Sequence, residues 1–228
     1  HHPLIRTVAY ESQLKSDRAD LHRRLAAAIE AGNPDAAEEN AALIAEHLEA
    51  AGDLHAAYGW HMRAAAWATI RDINAARLSW QRAQTIADAL PGEDPDHLTM
   101  RITPRTMLCG TAWRIHADVS GMQFDELRHL CTAADDKSSL AIAMSGLVSE
   151  HMIHGREEEG SQLVSEQLAL VESLADPGLI LGLSTNFISV KQSLGEISAV
   201  LRPYSRQPVH SATLHRFQSI SWDIRAKT

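Results

Sequence analysis

Residues 33–91 show the clearest hydrophobic periodicity in the chain. Apolar side chains recur there every three or four positions with charged side chains between them, which is the pattern of amphipathic α-helices. Gly52-Asp53 and Arg71-Asp72 interrupt the period and divide the segment into three helices. Alanines stand where neighbouring helices would touch, and larger apolar residues stand one turn away. This arrangement predicts helices stacked in pairs.

Start and stop signals extend the helical pattern in both directions. Pro3 suits the first turn of a first helix, and Gly32 ends a second helix. In that second helix Leu21, Leu25 and Ile29 recur at spacing four and mark an apolar face. These signals predict two helices before residue 33.

Capping residues predict where the later helices begin. The third helix is predicted over residues 35–51, and Asp53, Asp72 and Asp96 are predicted N-caps of the next three. Pro104 lies inside the helix predicted over residues 97–117 and should kink or split it. No strand pattern of useful length occurs, so the chain is predicted to be all-α. The remaining helices are predicted over residues 124–134, 138–154, 156–174, 177–194 and 195–201.

The composition fits close helix packing. Alanine is abundant and only 5% of the 228 residues are aromatic, which favours helices packed on small side chains over a β-sandwich. No apolar run approaches the roughly 20 residues needed to span a bilayer. Cys109 and Cys131 are far apart and form no CxxC motif, so buried thiols and a reduced, cytoplasmic compartment are expected.

The net charge of the chain narrows the classes of partner that are expected. The formal net charge of −8 argues against nucleic-acid binding by the surface as a whole. A protein partner, a peptide or a small effector therefore remains the expectation, without direct nucleic-acid or membrane contact.

Residues 57–90 resemble tetratricopeptide repeats, which place small residues at facing positions and a bulky residue one turn away. The resemblance implies antiparallel helix pairs stacked as a right-handed superhelix, an α-solenoid, in which one helix packs on both neighbours. His61 stands where the repeat usually has a large apolar residue. A generic alanine-rich helical bundle remains the alternative, and the tryptophans are expected in the interhelix core rather than in a ligand-stacking cage. The predicted packing positions are Ala45, Leu48, Ala57, Trp60, Ala64, Trp67, Ala76, Trp80 and Ala83.

The first thirty residues resemble the segment that follows the ATPase core in bacterial STAND-type signalling ATPases. The relevant kinds are the LuxR-type regulators and the proteins coupled to class III adenylate or guanylate cyclases, which are common in actinobacteria. The resemblance covers residues 2–202, so it implies a linking segment (1–32), tetratricopeptide-like repeats (33–202) and an atypical tail (203–228). It is carried by His2, Leu4, Tyr10, Arg18, Leu21 and His22, and then by Ala51-Gly52-Asp53.

The chain contains no GxxxxGK[ST] phosphate loop. Nucleotide chemistry with ATP and Mg²⁺ is therefore expected upstream of residue 1, and no catalytic, cofactor-binding or metal residue is predicted within the chain. The resemblance implies a non-catalytic regulatory arm that passes partner or effector binding to a cyclase or transcriptional output. A free-standing adaptor that binds a peptide is the alternative.

Basic residues concentrate on the second predicted helix. The resemblance implies that this region adjoins the ATPase module, so an interdomain contact is the functional hypothesis and a solvated helix face is the alternative. The cluster consists of Lys15, Arg18, His22, Arg23 and Arg24.

A metal site is the remaining candidate chemistry. His151 and His154 are spaced one turn apart beside Glu150, which suits two zinc ligands, but HExxH is absent and Gly155 ends the helix. Polar side chains satisfied at a helix end are the favoured interpretation, with His154 near the negative end of the helix dipole.

Overall fold

The structure is a computed structural model that describes residues 14–32, 36–93, 95–115 and 122–193. Every regular element within these residues is helical, so the predicted all-α class is confirmed. The first predicted helix, the helix at 195–201 and the tail at 203–228 lie outside the described residues, as do the predicted domain boundaries near 33 and 202. The chain divides into two compact units, residues 1–104 and residues 105–228.

The described part of the first unit contains four complete helices and the beginning of a fifth. From α1 to α4 each helix packs on the next one along the chain, and α3 therefore lies between two neighbours. The core shared by these helices is built from alanines together with larger side chains such as Ile44, Trp60 and Ile86. The helices are α1 (Lys15–Gly32), α2 (Ala41–Ala50), α3 (Leu54–Ala68), α4 (Ile73–Ala89) and α5 (His97–Gly110).

The predicted caps of α3 and α4 are confirmed. The Asp53 carboxylate accepts a hydrogen bond from the Ala56 N–H at 3.3 Å. The Asp72 carboxylate accepts hydrogen bonds from two backbone N–H groups at the start of α4. Gly52 has φ +76°, a left-handed conformation that glycine adopts without the Cβ penalty, and this explains the sharp end of α2.

The start of α2 differs from the prediction. The helix begins at Ala41 rather than at residue 35, and the described residues 36–40 form turns. The Asn40 side chain donates a hydrogen bond to the Ala36 carbonyl at 3.0 Å. Because asparagine competes for backbone groups in this way, it favours a turn over continued helix.

The helix α5 also differs from the prediction. It continues through Pro104 without a split and ends at Gly110, followed by a 3₁₀ turn at Ala112–Ile115 in place of the predicted helix up to residue 117. Proline in a helix interior removes one hydrogen bond and crowds the preceding turn. The Pro104 ring is fully buried, and this apolar burial offsets part of that cost.

The second unit is organised around α7. This helix packs on α6, α8, α9 and the 3₁₀ turn. Asp136 and Asp176 cap α7 and α9 through their carboxylates, and Gly155, at φ +69°, separates α7 from α8 as predicted. The helices are α6 (Met122–Ala134), α7 (Lys137–Ile153), α8 (Glu157–Leu174) and α9 (Pro177–Ser193).

The end of α5 crosses α7 with the two backbones in contact. A Cβ atom added at Gly146 would lie 1.9 Å from the Cys109 carbonyl oxygen, and one added at Gly110 would lie 3.3 Å from the Ile142 carbonyl oxygen. Only glycine at residue 146 permits so close an approach. This crossing sets how α5 and α7 pack within the second unit.

Candidate interaction surface

The helices α1 and α2 meet through a pair of histidines. The Nδ1 atoms of His22 and His47 are 3.1 Å apart, and the ring centroids are separated by 5.2 Å. At that distance one ring donates and the other accepts, so the contact requires that they not both be protonated. Burial lowers the pKa of His22, and the nearby His47 and Arg18 lower it further.

The five residues of the predicted basic cluster do not form one basic face. His22 turns toward α2 and Arg18 is half-buried, whereas Lys15, Arg23 and Arg24 are exposed. At 100° per residue the exposed three point in different directions around α1. Arg23 also forms an ion pair with Asp20 on the same helix. The structure therefore places these charges around α1 rather than on a single patch.

The apolar face predicted from Leu21, Leu25 and Ile29 packs on the rest of the unit only at Ile29. Leu21 is 49% exposed and Leu25 is 45% exposed, and Leu14 on the same stripe is 69% exposed. The side that meets the rest of the unit carries Ala26, fully buried, with Ile29 packed beside it. A small side chain there lets α1 approach closely, which leaves the α1 leucine stripe (Leu14, Leu21 and Leu25) uncovered.

The predicted packing positions are mostly buried. Trp67 differs because it is only half-buried, with the Arg71 guanidinium 4.5 Å from its ring centroid. Partial burial does not decide whether Trp67 lies in the interhelix core, so that expectation stays a prediction. The positions buried in the structure are Ala45, Leu48, Ala57, Trp60, Ala64, Ala76, Trp80 and Ala83.

The remaining tryptophans of the pattern offer no open aromatic cage. The Trp60 ring is covered by the Arg63 guanidinium, 3.7 Å from the ring centroid. Arg63 also forms an ion pair with Glu38, which lies in the turn before α2. The Trp80 ring is fully buried. Both rings are thus occupied by contacts within the unit.

His61 forms a polar contact between helices within the apolar core. Its Nε2 atom lies 3.1 Å from a Glu49 carboxylate oxygen of α2, and Arg82 of α4 lies 3.9 Å from the other oxygen. Burial lowers the pKa of His61, and the Glu49 carboxylate opposes that shift only in part. The ring is therefore held neutral between three helices. Its buried Nδ1 has no hydrogen-bond partner in the described part of the chain.

Of the two candidate zinc ligands of the second unit, His154 is hydrogen-bonded at a helix end, whereas the buried Nδ1 of His151 has no hydrogen-bond partner among the described residues. The His154 Nδ1 atom lies 2.8 Å from the Glu150 carbonyl, and the buried Glu150 carboxylate accepts a hydrogen bond from Arg156 at 2.9 Å. Burial and Arg156 lower the pKa of His151. Within the residues that the structure describes, no three His, Cys, Asp or Glu side chains are grouped to hold a metal ion.

Both cysteines are buried free thiols, as predicted. Burial raises the pKa of the Cys131 thiol to about 12, with Asp136 and Cys109 adding to the shift. A thiol with such a pKa stays protonated at neutral pH and is a poor nucleophile.

A groove runs along α6 in the second unit. Its volume is about 630 Å³, and its lining within the described residues comes from one face of that helix. Glu126 in this lining accepts a hydrogen bond from the buried Arg105 at 3.0 Å. The groove mixes acidic and apolar groups, which suits a surface contact more than an enclosed reaction chamber. The lining residues are Asp125, Glu126, His129, Leu130 and Ala133.

Sequence reasoning missed the buried glutamine of α8. The Gln167 amide donates to the Ala141 carbonyl at 2.6 Å and to the Ser145 hydroxyl at 2.9 Å, with no exposure to solvent. The signal was present, because Gln167 shares a helix face with Val164 and Val171 at spacings three and four. The His22–His47 contact had no such signal, because it depends on which face of α1 meets α2.

No protein-family model, curated protein or solved structure matches the chain. No helix among the described residues is long and apolar enough to cross a membrane. Function is therefore inferred from the residues and their packing.

Proposed function

We propose that this chain is a non-catalytic helical-repeat region of a multidomain signalling ATPase. The observation that carries the proposal is the packing of α3, which lies between α2 and α4 and buries alanines toward its neighbours. A tetratricopeptide-like superhelix uses each helix in this way, with every element packed on the one before and the one after. The first thirty residues resemble the segment that follows a STAND-type ATPase core. From this resemblance we infer the kind of domain that is attached.

The state of the reactive side chains supports a binding role. His61 and His151 have lowered pKa values and the Cys131 thiol has a raised one, all mainly because of burial. These shifts keep the groups neutral within packed helices. The proposal therefore assigns partner recognition to the exposed surface of the helices.

The surface proposed to meet the attached ATPase is the polar side of α1. Arg23 is exposed on the side of α1 opposite the leucine stripe, and Lys15 is exposed at the start of the helix. A protein or peptide partner, or a small effector, would bind elsewhere on the repeats. Its effect on ATP hydrolysis requires a different affinity for two arrangements of the whole protein, because equal affinity shifts no equilibrium.

ATP hydrolysis by the longer protein tests this proposal. Removing residues 14–193 is expected to change the hydrolysis rate several-fold, since a regulatory arm biases the ATPase between two states. The double variant Lys15→Glu/Arg23→Glu should reproduce part of that change. Lys137→Glu, an exposed charge reversal in the second unit, is the matched control and should leave the rate unchanged. Equal rates in all these proteins would refute the regulatory role.

A further inference from the structure

The histidine pair between α1 and α2 brings two imidazole nitrogens within reach of one ion. The Nδ1 atoms of His22 and His47 are 3.1 Å apart, whereas the ring centroids are 5.2 Å apart. The rings therefore meet through their Nδ1 edges rather than by stacking face to face. In the neutral pair the two Nδ1 atoms share one proton. A metal ion bound to both nitrogens would take the place of that proton, because neutral imidazole is a common metal ligand.

The separation of the two nitrogens suits a first-row transition metal. Zinc binds histidine nitrogen at about 2.0–2.1 Å, so two such ligands lie about 3.3 Å apart at a tetrahedral angle and about 2.9 Å apart at a right angle. The observed 3.1 Å lies between these values. The ring that carries its proton on Nδ1 binds the ion once that proton is held on Nε2, so both imidazoles remain neutral.

The surroundings of the pair set how the coordination is completed. Both rings are half-buried, so water can reach a bound ion. Arg18, one turn before His22, acts on this ring together with His47, and its positive charge opposes a cation. Among the described residues no third His, Cys, Asp or Glu side chain is grouped with the pair. Water therefore fills the remaining positions of the ion.

We propose that His22 and His47 bind one zinc ion between α1 and α2. Imidazole nitrogen suits Zn²⁺, whereas Mg²⁺ prefers oxygen ligands. Since two ligands provide about half the coordination of a four-ligand structural site, a dissociation constant of roughly 1–100 µM is expected. The two histidines are 25 residues apart, so local spacing gives no sign of this site.

A bound ion should stabilise α1 more than other helices. Of the residues of α1, which the structure describes in full, Ala26 alone is buried, so few apolar contacts hold this helix. Zinc joins α1 to α2 through one residue of each helix. Because the ion binds only the docked arrangement, it lowers the population in which α1 has separated from α2.

Isothermal titration calorimetry of the whole chain with ZnCl₂ at pH 7.5 tests the proposal. Every protein carries His1→Gln/His2→Gln, because adjacent histidines also bind zinc. One zinc ion per chain should bind in the micromolar range, and MgCl₂ should give no signal. His22→Gln and His47→Gln should each raise the dissociation constant at least ~10-fold, since even the loss of an outer-shell partner costs that much. His55→Gln, at an exposed histidine of α3, is the control and should bind zinc normally.

A gain of affinity tests the position of the site. Arg18→His removes the opposing charge and adds an imidazole one turn from His22, so it should lower the dissociation constant several-fold. Both histidines of the pair are half-buried, so their glutamine variants should fold, and circular dichroism melting without zinc checks this. An unchanged or weaker affinity in Arg18→His would contradict the placement of the ion beside His22.

Hydrogen exchange locates the effect of the ion. Zinc should slow amide exchange in α1 and leave α7 to α9 unchanged, and His22→Gln should abolish the slowing. A chain that takes up no zinc would overturn the proposal. Uptake that is unchanged in His22→Gln/His47→Gln, or slowed exchange confined to other helices, would overturn it as well.

The zinc site does not rest on the proposed function. Its test needs only this chain, whereas the regulatory role is tested by ATP hydrolysis in the longer protein. Zinc binding that depends on His22 and His47 would stand even if the charge reversals at Lys15 and Arg23 left the hydrolysis rate unchanged.

Discussion

In residues 1–104 neighbouring helices meet through alanines backed by tryptophan and isoleucine side chains, whereas in residues 105–228 α5 and α7 meet backbone to backbone at Gly146. The first arrangement depends on large rings that fill the space between helices. The second depends on the absence of a side chain at one position. This difference predicts that removing side-chain volume should destabilise the first unit most. Adding side-chain volume should destabilise the second unit most.

The largest effect is expected from Trp80→Ala in the first unit. The ring is fully buried, so its loss removes apolar burial and leaves a cavity, at a cost of about 3–5 kcal/mol in unfolding free energy. Urea unfolding followed by far-ultraviolet circular dichroism measures the change. Trp113→Ala in the second unit is the control, because Trp113 is half-exposed and should cost far less. Equal losses in the two variants would show that Trp80 does not hold the core.

Adding one methyl group at Gly146 should destabilise the second unit. Gly146→Ala places a Cβ atom 1.9 Å from the Cys109 carbonyl oxygen, which belongs to the backbone and cannot rotate away. The helices must separate, and such overpacking costs roughly 1–3 kcal/mol or more. Urea unfolding of this variant should show a lower midpoint than that of the unchanged protein. An unchanged midpoint would mean that α5 and α7 do not cross at Gly146.

Acidification should weaken the first unit more than the second. Among the described residues, His22 and His61 of the first unit and His151 of the second have pKa values lowered from 6.5. Since the unfolded chain binds protons more readily, their contribution is fully present above pH 6.5 and is lost as pH falls below it toward the folded pKa values. Hydrogen exchange at pH 7.5 and pH 5.5, read helix by helix, should show α1 to α4 losing more protection than α7 to α9.

A variant isolates the histidine contribution to this pH response. His61→Gln keeps a polar group near Glu49 and removes the titration, so its stability should change less between the two pH values. The same pH response in this variant and in the unchanged protein would show that His61 is not its source.

The smallest effect is expected at Gly59 of α3. This residue is compared with Gly146 because both are glycines inside a helix, one in each unit. A Cβ atom there meets nothing within 4 Å, and alanine is favoured over glycine inside a helix. Gly59→Ala should therefore stabilise the chain by up to about 1 kcal/mol. Differential scanning calorimetry should show a raised melting temperature, and a lowered one would mean that α3 has less free space at Gly59 than the structure gives it.

The parts of the fold that were predictable depend on local chemistry. Asp53 and Asp72 cap helices through their own carboxylates, and Gly52 and Gly155 end helices through their own backbone freedom, so neighbouring residues suffice to find them. The exposure of Leu21 and the half-exposure of Trp67 depend on the rotation of a helix against a distant neighbour. Local periodicity marks an apolar face without saying which face is covered.

The candidate surface was predictable only in part for the same reason. The basic residues of α1 were visible in the sequence, but their distribution around the helix and the turning of His22 toward His47 required the packed structure. The crossing at Gly146 also brings together helices that are far apart along the chain. An isolated glycine in a helical pattern carries no indication of its contact partner.

The coding sequence immediately before His1 tests the central claim most directly. A regulatory arm of a signalling ATPase predicts an upstream reading frame, continuous with this chain, that contains a GxxxxGK[ST] phosphate loop. A start codon adjoining residue 1, or an upstream frame without such a loop, would contradict the claim and favour a free-standing helical adaptor.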